Sequence, residues 1–423
     1  MMKSKLWNAT FSVCLAGLAI FAFGCKNVSK NQKKMKGTKN TEFNKGTFGY
    51  DVEAMKGNKT FTILRSSSND RMVLVSADLQ GRVMTSTFDG MNGFSIGWVN
   101  DKYIKAGKIQ EHFNPWGGEE RLWLGPEGGQ FSFFFKPGAP FDLDHWYTPA
   151  AFDTEPFETE KESDTMIRFG KEIILENYSG HRFDIGIQRT VRLLEEKDLK
   201  GLSGEMLSHS IKWVGYETEN VLKNIGDQAW TKETGMPSMW LLGMYNPSDA
   251  TTIVIPYNTG DGNVLGRIVN DAYFGKIAPD RLKIEGGVIF FKGDGKSRGK
   301  IGLNPERAKY VLGSYDEINH ILTVVKYNKP KGVTDYVNSM WEIQKDPFSG
   351  DVVNAYNDGP LPDGGQLGPF YELETSSPAA ALRPGEKLVH VSQTWHFSGD
   401  EEFLNEITEK ILGITIGNIK NAF

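Results

Sequence analysis

From about residue 46 onward, apolar and polar residues alternate with period two in short runs separated by turn clusters. This is the pattern of antiparallel β structure, in which successive side chains face opposite sides of a sheet. The clearest run sets Phe183, Ile185, Ile187, Val191 and Leu193 against Arg182, Asp184, Gln188, Thr190 and Arg192, which predicts a long strand with one wet face. Arg189 breaks the alternation by falling on the apolar side. An arginine there needs a partner, so a buried ion pair is the favoured reading and a ligand contact reaching into a cleft is the other. Further strands are expected over 60–65, 72–77, 82–88, 131–135, 287–292 and 318–327. The pairs Asn69-Asp70 and Asp89-Gly90 and the triplets Gly260-Asp261-Gly262 and Gly293-Asp294-Gly295 mark turns between strand-like segments.

Helical periodicity is scarce. One helix is expected over 335–343 under Thr334, with Tyr336, Val337, Met340 and Trp341 on one stripe. A second starts at the capping box Ser398-x-x-Glu401, carries Phe403, Ile407 and Ile411, and stops at Gly413. No repeat and no linker interrupts 50–415. With 39% apolar and 12% aromatic residues in a chain of 423, there is enough material for a large core. The expectation is one all-β, mainly antiparallel sandwich over 49–423 with a few short helices.

The first residues read differently. Lys3 and Lys5 precede an apolar run from Leu6 to Phe23, then Gly24 and Cys25. This predicts a signal peptide over 1–24, too short to span a membrane. The order Ala22-Phe23-Gly24-Cys25 resembles a relaxed lipobox, which makes Cys25 the lipidated mature N-terminus. Residues 1–45 hold nine lysines against one acidic residue, a surplus of eight, which leaves −13 for the remainder of a chain whose total is −5. The lysine-rich stretch within 25–48 therefore reads as a flexible tether beside an anionic membrane surface. The acidic body disfavours nucleic acid. The expected location is the cell envelope, as a membrane-anchored lipoprotein of the outer membrane facing the periplasm or the surface. Cys14 and Cys25 are the only cysteines, so the mature fold has no disulfide and no thiol nucleophile.

Candidate chemistry concentrates in two segments. The first, NPWGGEERLWLGPEGGQ from Asn114 to Gln130, packs five glycines, two tryptophans, three glutamates and one arginine into seventeen residues without alternation. Glycine lets backbone approach a ligand, tryptophan offers a stacking face, and Arg121 beside Glu119, Glu120 and Glu127 supplies donors and acceptors for a hydroxyl-rich ligand. Its plain alternative is a turn-rich connection with Trp116 and Trp123 as core anchors. The second segment, FYELETSSPAAALRPGEKLVHVSQTWHF, places Glu372 and Glu374 on one face of a strand. Two carboxylates side by side raise the pKa of one and suit it for proton transfer. On the following strand His390, Ser392, Thr394 and His396 oppose Val389, Val391, Trp395 and Phe397.

This second segment resembles the closing strands of the galactose mutarotase-like (aldose 1-epimerase) superfamily, where a glutamate precedes an L-x-P-G-E turn. The glycine-rich segment is similar to a cluster in its sugar-phosphate branch. A wider likeness, through GGEERLWLGPEGGQF and RLKIEGGVIFFKGDG, is to bacterial lipoproteins of unassigned function. The resemblance implies a galactose mutarotase-like β-sandwich and a carbohydrate ligand. It also implies an aldose 1-epimerase-like isomerase in which Glu374, or Glu372 beside it, takes the proton of the anomeric hydroxyl while a histidine protonates the ring oxygen. The family's N-H-x-Y-F pattern is absent, and His209 in LSHSIKW and His181 in SGHRF stand as substitutes. Trp116, Glu119, Arg121, Trp123, Glu127, Arg189 and His390 are the candidate substrate contacts. A non-catalytic glycan-binding lipoprotein is the rival, and a glycoside hydrolase or polysaccharide lyase on the same fold remains open. No metal or cofactor is expected: H-x-H, H-E-x-x-H and phosphate-loop spacings are missing, and G-x-S-x-G is missing too. Lys292, Lys296, Arg298 and Lys300 read as a solvated basic hairpin, with contact to an acidic sugar as the alternative.

Overall fold

The period-two alternation is realised as two antiparallel sheets packed face to face, seen in a computed structural model that describes residues 42–203, 211–361 and 364–423. The leader, Cys25, the lysine tether to residue 41 and His209 lie outside the described residues. In chain order the strands are β1 (Thr62–Arg65), β2 (Met72–Ser76), β3 (Arg82–Thr87), β4 (Arg121–Gly125), β5 (Glu158–Ser163), β6 (Met166–Glu176), β7 (Arg182–Leu193), β8 (Lys212–Asn224) and β9 (Ser238–Tyr245). They continue as β10 (Thr251–Pro256), β11 (Leu282–Glu285), β12 (Val288–Lys292), β13 (Gly299–Leu303), β14 (Val311–Asp316), β15 (Ile321–Tyr327), β16 (Val353–Asn357), β17 (Tyr371–Ser376) and β18 (Lys387–Ser398).

Ten strands pair in the order β11-β12-β10-β14-β15-β18-β8-β7-β6-β5, five in the order β13-β16-β17-β9-β4, and β1-β2-β3 form a small N-terminal sheet. The inner faces of the two large sheets meet in one core. Ile185, Ile187 and Leu222 come from the larger sheet, and Leu122, Leu241 and Leu373 from the smaller. Half of the larger sheet's outer face, with Leu322, Val324, Trp395 and Phe397, is covered by Leu404 and Ile407 of the helix Glu401–Ile411 and by Ile416 of the helix Ile416–Lys420. The other half is an open groove of about 1200 Å³ along β6, β7, β8 and β18, lined by Gln188, Glu219, Lys223 and Lys387 among others.

Several local expectations are corrected. The C-terminal helix forms, but Ser398 ends β18 and Asp400 takes the N-cap position. Its end is as expected: the amides of Leu412 and Gly413 both donate to the Thr408 carbonyl, and Gly413 sits at φ 72°. Residues 335–343 are not helical. Tyr336 bridges in parallel to Ser349, and the Gln344 side chain donates to the carbonyls of Asn338 and Met340. Tertiary hydrogen bonds and the packing of Val337 against Phe131 and Phe348 override the stripe read from sequence. Residues 131–135 form no strand, because local turns take the amides: Ser132 donates to the Gly129 carbonyl, Phe133 to the Pro126 carbonyl and Phe134 to Ser132 Oγ, while Phe131, Phe133, Phe134 and Phe135 are buried.

Arg189 is fully buried between the sheets. It donates to the Gly81 carbonyl at 2.9 Å, to Asn220 Oδ1 at 2.5 Å and to Glu120 Oε1 at 2.9 Å. The ion-pair reading holds, and the arginine reaches no cleft. Removing one partner of such a pair leaves an uncompensated buried charge, whereas removing both does not. Glu120→Leu should therefore destabilise by about 3–5 kcal/mol in urea unfolding, and adding Arg189→Met should recover most of that loss. Two substitutions with simply additive costs would show that the pair is not coupled.

Candidate functional site

On β17 the period of two sends Tyr371, Leu373 and Thr375 into the sandwich and Glu372 and Glu374 to the outer face of the five-stranded sheet. The register fixes their neighbours. Glu372 lies opposite Tyr356 of β16 and Met244 of β9, and Glu374 opposite Asn354 and Leu242. One strand further on each side, β4 sets Arg121 opposite Leu242, and β13 sets Lys300 opposite Tyr356. Arg121 Nη2 donates to Glu372 Oε1 at 3.2 Å, and Lys300 Nζ donates to Glu374 Oε2 at 3.0 Å. The indole of Trp240 donates to the same Glu374 oxygen at 2.8 Å. Glu374 is 0% exposed and Arg121 7% by side chain, so both pairs are withdrawn from water.

Aromatic rings wall this cluster. The Arg121 guanidinium lies 4.2 Å from the Trp123 ring, and Lys300 lies 4.8 Å from Trp240. Trp123 meets Trp240 edge-on at 5.7 Å, and Trp146 bridges from Trp123 at 6.4 Å to Trp341 at 6.1 Å. Trp341 also hydrogen-bonds the half-buried Glu127. Near Lys300, the Tyr273 hydroxyl donates to Asp351 at 2.6 Å.

Burial sets the proton affinities. It pushes Glu372 up to about 8; Arg121 opposes the rise and Glu374 adds to it. Glu127 is raised by burial, against Lys300 and with Glu374. Burial pulls the Lys300 ammonium down, but Glu374, Glu127 and Glu372 outweigh it and hold it above its ordinary value. Several buried polar atoms here have no hydrogen-bond partner within the protein: Glu374 Oε1, Arg121 Nε and Nη1, Trp123 Nε1, Trp146 Nε1 and Ser238 Oγ. The arrangement therefore offers one free carboxylate oxygen, a proton-holding carboxyl two residues away, several unmet donors and flat aromatic faces.

The structure brings Glu372, Glu374, Arg121, Trp123 and Glu127 together and leaves five other candidates elsewhere. Trp116 is core: its ring packs with Phe48, Met84 and Ile104 under Lys59, and its indole donates to the Asp153 carbonyl. Glu119 points between the sheets, where it accepts from His396 Nε2 and from the Ser86 hydroxyl, each at 2.8 Å. Arg189 is occupied by Glu120. His390 also faces inward, 3.1 Å from the Thr375 hydroxyl, and burial pushes it down to about 3. His390 and His396 share the face of β18 that packs against the other sheet, while Trp395 and Phe397 on the opposite face lie under the C-terminal helices. His181 packs edge-on against Phe183, away from β17. Trp240 went unseen in the sequence, and Lys300, read there as part of a solvated basic hairpin, is instead buried against Glu374. The alternation of Lys300 and Gly302 with Ile301 and Leu303 was a usable signal, masked by the neighbouring basic residues. Among the described residues, no group of three or more His, Cys, Asp or Glu side chains is placed to hold a metal ion.

A family model described as a family of unknown function (DUF6786) matches residues 46–423. The 7-cyano-7-deazaguanine synthase of Saccharolobus solfataricus is 30% identical over 152 residues, 34% of this chain and 31% of that protein, so the chain spans about a third of the length of the curated relative it matches. Among solved structures, the Slr1438 protein from Synechocystis sp. PCC 6803 is similar at a TM-score of 0.48 and 11% identity, covering 81% of this chain and 96% of that one. A putative aldose 1-epimerase from Escherichia coli K12 is similar at a TM-score of 0.46 and 12% identity, covering 81% of this chain and all of the other.

The raised Glu372 carries a stability signature. Below pH 4.5 folded and unfolded chains both hold its proton; between 4.5 and about 8 only the folded chain does. Stability contributed by this group is therefore present at low pH and falls as pH rises through that window. Glu372→Gln lacks the titration, so its melting temperature should gain on the wild type from pH 5 to pH 8. A difference that stays constant across those pH values would mean that Glu372 titrates normally.

Proposed function

The chain belongs to that family of unknown function, and from its site we propose a carbohydrate-active role in which the Arg121, Trp123 and Glu374 cluster binds a sugar ring and Glu374 acts as base on a sugar hydroxyl. The observation that carries this reading is the free Oε1 of Glu374. Its sister oxygen is held by both Lys300 and Trp240, so the carboxylate is oriented with one oxygen unmatched. A hydroxyl supplies the missing hydrogen bond, and the apolar face of a sugar suits the adjoining indoles. In an aldose 1-epimerase-like step, Glu374 takes the anomeric proton as the ring oxygen gains one and the ring bond opens. On this face the proton donors are Glu372, which holds its proton near neutrality, and Lys300, rather than a histidine. The lack of a histidine here among the described residues favours a second reading, a glycan-binding protein without turnover. The acidic body supports a carbohydrate rather than a nucleic-acid ligand.

A glycan array followed by three variants separates these readings. Trp123→Ala should weaken any hit by about 1 kcal/mol or more, roughly fivefold or greater, and Arg121→Ala should weaken it too. Glu374→Gln should abolish turnover of a reducing sugar if the protein is an isomerase. Binding that survives Glu374→Gln with no turnover in the wild type identifies a lectin-like protein. An array with no hits removes the carbohydrate reading.

We further propose that the protein is held at a cell-envelope membrane through acylated Cys25, on the support of the lysine, apolar run and Gly24-Cys25 order. Cys25→Ala should move the protein to the soluble fraction, and labelled fatty acid should enter only the wild type. Unlabelled wild type that sediments equally with the variant would exclude the anchor.

A further inference from the structure

We infer that residues 271–280 form a strap that closes the Lys300 and Glu374 end of the cluster and swings open between two fixed ends to let a ligand reach Glu374. The gating role depends on the carbohydrate reading of Glu374; the opening does not. The site contains a conflict. Glu374 is 0% exposed and its Oε1 has no partner within the protein, so no ligand meets that oxygen unless a covering segment moves. Three segments outside the sheet bring side chains to the cluster. Two of them, bearing Glu127 and Trp341, are tied to each other: the Glu127 amide donates to Ser339 Oγ, Gln130 Nε2 donates to the Gln344 carbonyl, and the Gln344 amide donates to Gln130 Oε1. Phe131, Val337 and Phe348 of these segments also share an apolar cluster.

The strap is held differently. Its ends are firm: Asn270 exchanges both backbone hydrogen bonds with Gly302 at 2.8 Å each, and the Arg281 guanidinium donates twice to Asp294, at 3.1 and 2.5 Å. Between them no amide of residues 271–280 donates to a backbone carbonyl, and most of these residues are exposed. A segment with exposed backbone and few hydrogen bonds belongs to the low-stability end of a fold and opens at little cost. Side chains do the closing. The Tyr273 ring lies 5.7 Å from Lys300 Nζ, Phe274 lies 4.1 Å from the Arg298 guanidinium, and Ile277 Cδ1 lies 2.5 Å from where a Cβ on Gly299 would stand. One atom receives the latch: Asp351 Oδ2 accepts from the Tyr273 hydroxyl at 2.6 Å and from Asn270 Nδ2 at 2.9 Å. Gly302 makes room for that carboxylate, since a Cβ there would lie 2.2 Å from the same oxygen. Releasing Tyr273 from Asp351 frees its ring from Lys300, the cation that orients Glu374, so opening the strap uncovers the working end of the cluster.

The test is acetylation of the folded protein with N-hydroxysuccinimidyl acetate, followed at Lys300 and Lys276 by peptide mass spectrometry. Lys276 is exposed within the strap and reports reagent reactivity, whereas Lys300, with 11% of its side chain exposed, reports opening. Tyr273→Phe and Asp351→Asn should each speed acetylation of Lys300 relative to Lys276 by roughly threefold or more, the effect of a lost hydrogen bond on an opening equilibrium. Hydrogen exchange of β7 should not change, which separates opening of the strap from general loss of stability. Equal Lys300 rates in the wild type and both variants would overturn the strap, and so would a gain seen only alongside faster exchange in β7. Any sugar found on the glycan array should associate faster with Tyr273→Phe, because more of the chain is open before binding. An unchanged association rate would overturn the gate and leave the opening in place. An array without hits would remove the carbohydrate reading, while the acetylation rates still decide whether the strap opens.

Discussion

Two carboxyl groups two residues apart on one strand, both taken out of water, coexist only if their charge is suppressed or matched, and the five-stranded sheet does both: burial favours the protonated form of Glu372 beside Arg121, and Lys300 stands against Glu374. Glu372 is met by Arg121 from β4 and Glu374 by Lys300 from β13. Those strands are the opposite edges of the sheet, with β17 between them. The compensation therefore runs across the whole width of the sheet, and the edges are tied to its interior by charge as well as by backbone hydrogen bonds. A slip of β4 against β9 or of β13 against β16 would separate Arg121 from Glu372 or Lys300 from Glu374, so the pairs add to the specification of register. The indoles of Trp123 and Trp240 are positioned by the same register, one opposite the other.

The same rule operates between the sheets. Three consecutive residues of the glycine-rich segment satisfy three separate demands: Glu119 accepts from His396, Glu120 binds Arg189, and Arg121 turns outward to Glu372. Gly117 and Gly118 precede them at φ 82° and 123°, and a Cβ on Gly118 would lie 2.5 Å from the Arg82 side chain. The glycines thus let the chain enter β4 close against β3, so that adjacent charges can diverge. A segment whose composition pointed to a ligand loop is mostly a structural junction, and only Arg121, Trp123 and Glu127 within it join the cluster around Glu372 and Glu374.

Much of the fold was legible because strand periodicity is local. The alternation of Phe183 to Leu193 is preserved in β7, and the misfit of Arg189 correctly marked a buried ion pair. The pairing of Glu372 with Glu374 on one face also followed from period two alone. What the sequence hid depends on which face of a strand is covered. The polar row His390, Ser392, Thr394 and His396 looked like a wet or cleft-lining face, yet this face packs against the other sheet, His390 meeting Thr375 of β17 and His396 meeting Glu119, so the row is core. Lys300 was hidden for the reverse reason. It sits in a basic run that reads as solvated, and only the pairing of β13 with β16 brings it over Glu374. The stripe at 335–343 had helical spacing, but the Tyr336 and Gln344 hydrogen bonds are long-range or irregular and leave no local trace.

Burial also decides what kind of chemistry the outer face can support. The exclusion of water that raises Glu372 strengthens the hold of Lys300 and Trp240 on Glu374, so two carboxylates of one type acquire different roles from their surroundings. The same exclusion leaves donors such as Trp123 Nε1 and Arg121 Nη1 without partners inside the protein. Such groups are destabilising for the free fold and become stabilising when a ligand supplies the missing acceptors. A ligand that completes these bonds would bind with free energy drawn from relieving that deficit as much as from new apolar contact. The rings of Trp123, Trp146 and Trp341 stand together beside these donors, so the water that would otherwise satisfy them is held away by the same burial that raises Glu372.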